Sequence, residues 1–416
     1  MARGGRLAAA LAVAVLTSGC AGKPIGGPSS GPVLGGPSSG APAPASSPAS
    51  SSSAPARPPA WKPATLPPTT PTSILRDVVA TDRAHAWAVG SDNYTPPELY
   101  TTGEPLILQW DGSRWSRMPL PGVTWKGGLK LVAAGSPTDV WAVGGPAAHE
   151  PSDNVTKVLR YDGGTWHEVP FPAGATPSLL SITDLAVVAG HAWMVGHRNT
   201  EAVILEWTGR DWKEHEAPAE CVQGGTSFGG TPNFCAVTGL KAFAPNDIWA
   251  AGNGAWTGFL GPLLYHWDGT AWRTVRVGLN DKRLALTAIG GRSSNDLWAV
   301  GDTLMSPDGG ALVVHGDGTT WREVGGLPAA RLPDVAVDTA GNPWLIENFR
   351  EPSVKLASFR GTGPWVDAPI PAPPDAVGMN LNGIAAVPGT DLMFAVGAAD
   401  LPTQPRRLRA VILEYS

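Results

Sequence analysis

Two short motifs alternate along the chain between residues 60 and 416. The first reads Asp-apolar-Trp-Ala-Val-Gly and recurs, with substitutions, at Asp139–Gly144, Asp247–Gly252, Asp296–Gly301, 86–90, 192–196, 342–346 and 392–397. The second reads apolar-x-aromatic-Asp-Gly-x-x-Trp and recurs, also with substitutions, up to Trp115, Trp166, Trp212, Trp272, Trp321 and Trp365. Successive Trp residues of the first motif lie 54, 52, 56, 49 and 46 residues apart. A period of about 50 residues with four short strands per unit is typical of β-propeller blades.

Each repeat divides into four predicted strands, a to d. Strand b carries the first motif, strand c precedes the Asp-Gly pair, and strand d holds the following Trp; we expect a type I′ turn at each Asp-Gly. The seventh repeat ends after its strand c, whereas Trp61–Pro67 matches the strand-d segments Trp115–Pro121 and Trp166–Pro172. The sequence therefore predicts an all-β, seven-bladed β-propeller over residues 60–416, with the last blade closed by the N-terminal strand.

These motifs resemble those of bacterial secreted propellers of the kelch and galactose-oxidase-like group and, more loosely, those of tectonin-type propellers. The resemblance covers residues 60–416, although only Gly144-Gly145 matches the Gly pair that usually ends strand b of a kelch repeat. The Asp-Gly-x-x-Trp turn is also similar to the Asp-box of sialidase-like propellers, with one residue fewer and no leading Ser. Because several tectonin-type propellers are lectins, the resemblance implies carbohydrate binding; it implies no particular enzyme activity.

The N-terminus resembles a bacterial lipoprotein signal. Residues 1–19 carry Arg3 and Arg6 before an apolar stretch, Leu7–Leu16, that is too short to span a bilayer. The segment ends Leu-Thr-Ser-Gly-Cys20, which resembles a lipobox whose Cys is diacylated; the alternative is an ordinary signal peptide with an incidental Cys. Residues 20–59 join the lipidated Cys20 to a linker rich in Gly, Pro, Ser and Ala that cannot bury enough apolar surface to fold. We therefore expect the protein at the outer face of the bacterial cytoplasmic membrane, attached through its lipid anchor only.

The net charge and the cysteine content of the chain limit the ligands and bonds that can be expected. The formal net charge of −5 argues against nucleic acid, which requires a basic face. Cys221 and Cys235 are expected to form a disulfide in an oxidising compartment. No His and no other Cys lies between them, so we expect no metal site there. We expect a monomer.

The strand order places the b–c and d–a connections on one face, which we call the loop-rich face. Long b–c connections are expected at 91–104, 145–156, 253–261, 302–310, 347–352 and 398–407. Of the 18 Trp residues, only Trp125 and Trp256 fall outside the repeat positions, and both belong to this face. An exposed indole suits a sugar ring or a protein hot spot, although each could instead fold onto its own loop.

Polar residues near the start of strand a form a second candidate site. They are expected to line the entrance of the central channel, because polar side chains inside a strand of small residues would be costly to bury. The set comprises Arg76, Asp77, Lys130, Asp184, Asp334 and Asn382. Carboxylates arranged in a ring could hold Ca²⁺, although such residues more often pair with each other and with water; no other cofactor is indicated.

No nucleophile–base motif is present, so an enzyme is the less favoured interpretation. His149 and His197 are the only His residues expected on the loop-rich face, in neighbouring blades. The leading hypothesis is a surface-anchored, non-catalytic module that binds a glycan or a cell-envelope protein. The alternatives are a carbohydrate-active hydrolase or lyase that uses the channel-mouth carboxylates, and a structural scaffold in an envelope complex.

Overall fold

A computed structural model of the protein describes residues 59–95, 103–145, 157–171, 180–198, 201–222, 234–256, 259–279, 284–303, 310–349, 353–403 and 406–416. The predicted signal peptide, Cys20, most of the linker and His149 lie outside these residues. No helix within the described ranges is long and apolar enough to cross a membrane.

The described residues form seven four-stranded antiparallel sheets, which confirms the predicted seven-bladed β-propeller. Blade 1 contains β2 (Ile74–Asp82), β3 (His85–Asp92), β4 (Glu104–Trp110) and β5 (Trp115–Arg117); blade 2 contains β6 (Gly128–Ser136), β7 (Asp139–Gly145), β8 (Lys157–Tyr161) and β9 (Trp166–Val169). Blade 3 contains β10 (Leu180–Val188), β11 (His191–Arg198), β12 (Glu201–Trp207) and β13 (Trp212–Glu214), and is followed by the short helix α1 (Ala219–Val222).

The remaining blades follow the same order of strands. Blade 4 contains β14 (Phe234–Ala244), β15 (Asp247–Trp256), β16 (Phe259–Trp267) and β17 (Trp272–Arg276); blade 5 contains β18 (Leu284–Ser293), β19 (Asp296–Thr303), β20 (Leu312–Gly316) and β21 (Trp321–Glu323). Blade 6 contains β22 (Val335–Val337), β23 (Pro343–Asn348), β24 (Val354–Ser358) and β25 (Val366–Ala368). Blade 7 contains β26 (Gly378–Ala386), β27 (Met393–Leu401), β28 (Arg407–Tyr415) and, as its strand d, β1 (Trp61–Pro63).

The N-terminal strand closes the ring as predicted. β1 pairs antiparallel with β28, with Trp61 opposite Tyr415 and Pro63 opposite Leu413. This register repeats that of Trp115 opposite Trp110 in blade 1. Trp61 is buried, and its ring centroid lies 5.8 Å from that of Trp344 in blade 6. The first and last blades therefore meet without a free edge at strand c of blade 7.

Aromatic side chains fill the seams between blades. The strand-b aromatic of one blade packs against the strand-c and strand-d aromatics of the next. For example, the ring of Trp141 lies 5.7 Å from Trp207 and 6.0 Å from Trp212. In blade 7 Phe394 replaces the strand-b Trp and contacts Trp110 and Trp115 at 5.3 and 5.0 Å. These contacts bury large apolar surfaces, which dominate the energy of such seams.

The Asp-Gly turns differ from the expected type I′ turns. In blade 1 the turn is a four-residue loop, since Trp110 pairs with Trp115. Only Gly112 has a positive φ, of 94°, whereas a type I′ turn requires two such residues. The Asp111 carboxylate instead accepts the main-chain N–H groups of Ser113 and Arg114, both at 3.0 Å. The Asp is therefore needed for its side-chain oxygens, which cap the loop from within.

Candidate functional site

The two ends of the ring are built differently, as the strand order predicts. At one end the c–d turns pack on the a–b turns; for example, Trp110 Nε1 donates to the Arg83 carbonyl at 3.0 Å. At the other end the d–a and b–c connections meet, as where Gly127 N–H donates to Gly103 O at 2.7 Å. This second end is the loop-rich face, where longer connections leave room for a ligand.

A pocket of about 490 Å³ opens on the loop-rich face of blade 1. It lies between the start of β4, the end of β5 and the d–a connection that leads to blade 2. Its lining residues are Glu104, Pro105, Arg117, Met118, Pro119, Leu120, Val123, Thr124, Trp125 and Lys126. Six of the ten lining residues are apolar and three are charged, so the pocket offers both apolar surface and polar groups to a ligand.

Trp125, one of the two Trp residues outside the repeat, is half-buried and lines this pocket. It also packs against the apolar cluster between blades 1 and 2, which includes Trp87 and Trp166. Trp125 therefore both rests on the core and lines the pocket.

Ion pairs fix the charged residues of the pocket. Lys126 Nζ lies 2.7 Å from Glu104 Oε1, joining the d–a connection to β4. The Arg117 guanidinium lies 2.5 Å from Asp92 Oδ2, and Asp92 is buried. Asp92 also accepts the Thr70 hydroxyl at 2.7 Å, which ties the segment after β1 to the same corner. The pocket is therefore held in shape by the closing segment of the ring.

Trp256 lies in blade 4, where the structure corrects the predicted loop. Residues 253–261 do not form a long irregular connection, because β15 and β16 pair as far as Trp256 and Phe259. β15 and β16 are therefore the paired strands of a long hairpin, with only residues 257 and 258 between them in sequence. Trp256 is the last residue of β15.

The disulfide predicted between Cys221 and Cys235 is present, with both residues buried. It joins α1 to the start of β14, and Cys235 pairs across the sheet with Gly254 of β15. The three paired strands at this end of blade 4 form what we call the blade 4 arm. The disulfide therefore holds the arm to the d–a connection, and the strand partner of Cys235, Gly254, lies two residues before Trp256.

The three predicted channel carboxylates share one structural role. Each aspartate accepts the N–H of the next residue and an N–H from strand a of a neighbouring blade. Asp77 bonds Val78 and Val132, Asp184 bonds Leu185 and Leu240, and Asp334 bonds Val335 and Ile384, all between 2.6 and 2.8 Å. One oxygen of each carboxylate thus accepts an N–H of its own blade, and the other joins that blade to a neighbour.

Burial nevertheless disfavours the charged form of these aspartates. It raises the pKa of Asp184 to about 7 and that of Asp334 to about 6, against the lowering effect of the N–H donors. Burial raises the pKa of Asp77 well above its ordinary value, and the nearby charge of Asp334 adds to the effect. Lys241, which sequence reasoning missed, lies near Asp184 and Asp334; burial lowers its pKa, while these carboxylates raise it.

A further position recurs in strand a, one residue before the aspartates or their equivalents. It is occupied by Arg76, Lys130 and Asn382. Strand a has a β-bulge at this position in most blades, and the bulged residue points toward the next blade. Lys130 Nζ donates to Ile182 O at 3.3 Å, and Asn382 Nδ2 donates to Leu75 O at 2.7 Å. Arg76 is half-buried at the same position in blade 1.

Three threonines that we did not predict continue this pattern. The hydroxyls of Thr183 and Thr238 each donate to a strand-a carbonyl of the next blade, and that of Thr287 donates to the Leu332 carbonyl just before β22, at 2.5 to 2.6 Å. Alignment of the repeats places all these residues one position before the aspartates or their equivalents, which is the signal that could have revealed them. The residues chosen as a channel mouth therefore form contacts between blades.

His197 lies on β11 of blade 3, half-buried and opposite Ser181 and Ala202. Its proposed neighbour His149 is outside the described residues. Within the described part of the chain, no three His, Cys, Asp or Glu side chains come together in an arrangement that could hold a metal ion.

Several solved structures are similar to this chain. A structure described as YCF48 bound to D1 peptide is similar with a TM-score of 0.53 and 18% identity, covering 86% of this chain and 96% of that one. The GH74 xyloglucanase from Xanthomonas campestris is similar with a TM-score of 0.52 and 16% identity, covering 85% of this chain and 55% of that one. The lectin SapL1 in complex with alpha methyl fucoside has a TM-score of 0.45 and 13% identity, covering 74% of this chain and 98% of that one. No protein-family model matches the chain, and no curated protein matches it significantly. The class is therefore the seven-bladed β-propeller, and likeness at these identities defines the fold alone.

Proposed function

We propose that this chain is a non-catalytic binding module that recognises a glycan or a cell-envelope protein through its loop-rich face. The observation that carries the proposal is the pocket in blade 1, where Trp125 lies beside apolar residues and the paired charges of Glu104 and Lys126. An indole beside fixed polar groups can stack on a sugar ring or hold an apolar peptide side chain. The similar structure described as YCF48 bound to D1 peptide is compatible with a peptide ligand.

Binding can be tested with a glycan array and with pull-downs from envelope extract. We expect Trp125→Ala to weaken any detected binding at least tenfold, since truncating a hot-spot aromatic commonly costs 2 kcal/mol or more. Trp125→Phe should retain much of the binding, because an aromatic ring remains. Trp256→Ala tests the blade 4 arm separately.

Arg210→Ala is the matched surface control. Arg210 is 92% exposed in the c–d turn of blade 3, on the opposite face, and should not affect binding. If Trp125→Ala and Trp256→Ala both fold and bind as well as the unchanged protein, the ligand does not use this face as proposed.

A carbohydrate-active hydrolase or lyase is the second candidate. The pKa of Asp184, near 7, would suit a general acid. Against this, each oxygen of Asp184 already accepts a main-chain N–H, so the carboxylate has a structural task. Release of sugar from wall polysaccharide, lost in a folded Asp184→Asn or Asp334→Asn variant, would favour the hydrolase over the binding module.

We also propose that Cys20 carries the lipid that anchors the protein at the outer face of the cytoplasmic membrane. The support is the sequence before Cys20, which ends an apolar stretch of signal-peptide length. Cys20→Ser should release the protein from the membrane fraction and abolish labelling by a palmitate analogue. Unchanged membrane attachment of Cys20→Ser would contradict the anchor.

A further inference from the structure

Glu347 occupies a position in strand b that is Gly in the other six blades. A Cβ atom added to Gly90 in blade 1 would lie only 1.9 Å from the Ile74 carbonyl oxygen of strand a. The same contact would be 1.8 to 2.2 Å at Gly144, Gly196, Gly252, Gly301 and Gly397. A side chain is therefore excluded wherever strand a has its regular course.

Blade 6 has room for a side chain because its strand a is incomplete. β22 begins only at Val335, after Pro333, which lacks a main-chain N–H for the ladder. Before that point, pairing with strand b is limited to a bridge between Arg331 and Asn348. The departure of strand a from the regular ladder leaves the space that Glu347 fills.

The Glu347 side chain is fully buried in an apolar seam. Alternate residues of a strand share a face, so Glu347 points to the same side as Leu345 and Phe349. These two residues pack in the cluster between blades 5 and 6, together with Leu332 and Val313. Glu347 is 0% exposed, and among the described residues neither of its oxygens has a hydrogen-bond partner. A buried carboxylate without a partner is stable only when neutral.

The charged groups around Glu347 do not compensate an ionised carboxylate. Lys355 lies opposite Glu347 on β24, but its Nζ is 2.5 Å from Asp367 Oδ2 on β25. Towards blade 5, Arg331 lies beside Asn348, and its charge acts on Asp302 of β19. Lys355 is thus engaged elsewhere, and Asp367 adds a further negative charge.

We propose that the seam between blades 5 and 6 is a proton-controlled joint, closed while Glu347 is protonated and loosened when Glu347 loses its proton. Ionisation requires water or a cation to reach the carboxylate. The protein can meet this requirement by opening the seam or by moving Lys355 from Asp367 to Glu347. Either movement displaces β23 and β24, whose connection lies on the loop-rich face.

The electrostatic environment supports the direction of the effect. Burial raises the pKa of Glu347 to about 7; Asp367 raises it further, and Lys355 opposes this. In an open seam the pKa returns towards the ordinary value of about 4.3. Between these two values the closed state binds more protons than the open state, so closure weakens as pH rises through this window. Above pH 7 the stability that protonated Glu347 gives to the closed seam is fully lost.

Hydrogen–deuterium exchange of the mature protein at pH 5 and pH 8, corrected for intrinsic exchange rates, tests the joint. We expect protection of the 335–348 peptide to fall about 75-fold more than protection of the equivalent strands of blade 3, the ratio that pKa values of about 7 and 4.3 imply between pH 5 and pH 8. Blade 3 is the reference because it carries Asp184 where blade 6 carries Asp334, and burial raises the pKa of both. Glu347→Gln, which is similar in size and neutral at both pH values, should remove this excess. Glu347→Met serves the same purpose if the buried amide impairs folding. Glu168→Gln, in blade 2, is the matched control and should keep the excess.

The proposal is overturned if blade 6 shows no excess loss of protection, or if Glu347→Gln keeps it. Arg350 lies outside the described residues and is the nearest cation in sequence. An excess that appears only in Arg350→Gln would mean that Glu347 is already paired in the unchanged protein, which also overturns the joint.

Discussion

The Asp184 carboxylate in blade 3 accepts the Leu240 N–H of blade 4 at 2.6 Å. Asp77 and Asp334 form the same bond to blades 2 and 7. Strand a of each blade that donates the N–H bulges just before the bonded residue, which turns a main-chain N–H out of its own ladder. Such an N–H is costly to bury unless another group accepts it. The aspartates are therefore structural links between blades.

Asp184→Ala should lower the free energy of unfolding by about 1–3 kcal/mol for each of the two N–H groups that lose their acceptor. Urea unfolding measures the change. Asp211→Ala is the control, because Asp211 is exposed and pairs only with the exposed Arg210. Equal effects of the two substitutions would show that the links do not stabilise the ring.

Asp184→Asn should make the protein less sensitive to rising pH. The folded pKa of Asp184, about 7, lies above the unfolded value of about 3.9, so the unchanged protein loses stability as pH rises between them. Asn is uncharged at every pH, but its amide has one acceptor oxygen, so one of the two main-chain N–H groups bound by Asp184 loses its acceptor. We therefore expect Asp184→Asn to be the less stable protein at pH 4, and the gap to shrink as pH rises to 8. A gap that is constant across this range contradicts the raised pKa.

Removal of the closing strand should be far more damaging than removal of the linker. A chain that starts at residue 73 loses the pairing of Trp61 with Tyr415 and exposes the edge of β28. A chain that lacks only residues 23–55 keeps this pairing, and the edge of β28 stays covered. Trp61→Ala alone should cost about 3–5 kcal/mol, since it removes a buried aromatic. Thermal melts and light scattering compare the variants; equal melting temperatures for the two truncations would refute the role of β1.

The Asp111 carboxyl should titrate with a pKa of about 2, because hydrogen bonds from Ser113 and from the N–H groups of Ser113 and Arg114 favour its charged form. NMR titration measures this value directly. Ser113→Ala should raise the pKa, because the hydroxyl is the largest single cause. Since the folded pKa lies below the unfolded one, the turn contributes stability above pH 3.9 and loses it as pH falls towards 2. Titration of Asp111 near 3.9 would mean that the carboxylate does not cap the loop.

The period and spacing of the motifs were enough to predict the ring and its closure. The Trp positions repeat with the blade, and the Trp61 segment matches a strand d that the last repeat lacks. The functions of the channel residues could not be predicted in the same way. The Leu240 N–H that Asp184 accepts lies 56 residues further along the chain. This hydrogen bond depends on a bulge in β14 that the sequence does not reveal.

Glu347 and Trp256 illustrate two different failures. Glu347 replaces the Gly of the first motif, so a comparison of the repeats would have revealed it if deviations had been weighed as heavily as matches. The sequence predicted a long b–c connection over residues 253–261, a stretch that contains Trp256, Gly254 and Gly261. Both glycines instead lie in paired strands, opposite one another.

The first and last residues of the propeller lie side by side, and this affects where the chain can be cut and rejoined. Ala60 and Ser416 exchange main-chain hydrogen bonds of 3.4 and 3.5 Å, at the place where other blades have a c–d turn. The ring therefore has one missing turn rather than a distinct first or last blade. A circular permutant that joins Ser416 to Ala60 through an Asp-Gly loop, with new termini at another c–d turn, should assemble the same ring. In such a molecule any of the seven blades could carry the attachment to a surface, so the direction in which the loop-rich face is presented could be chosen by design.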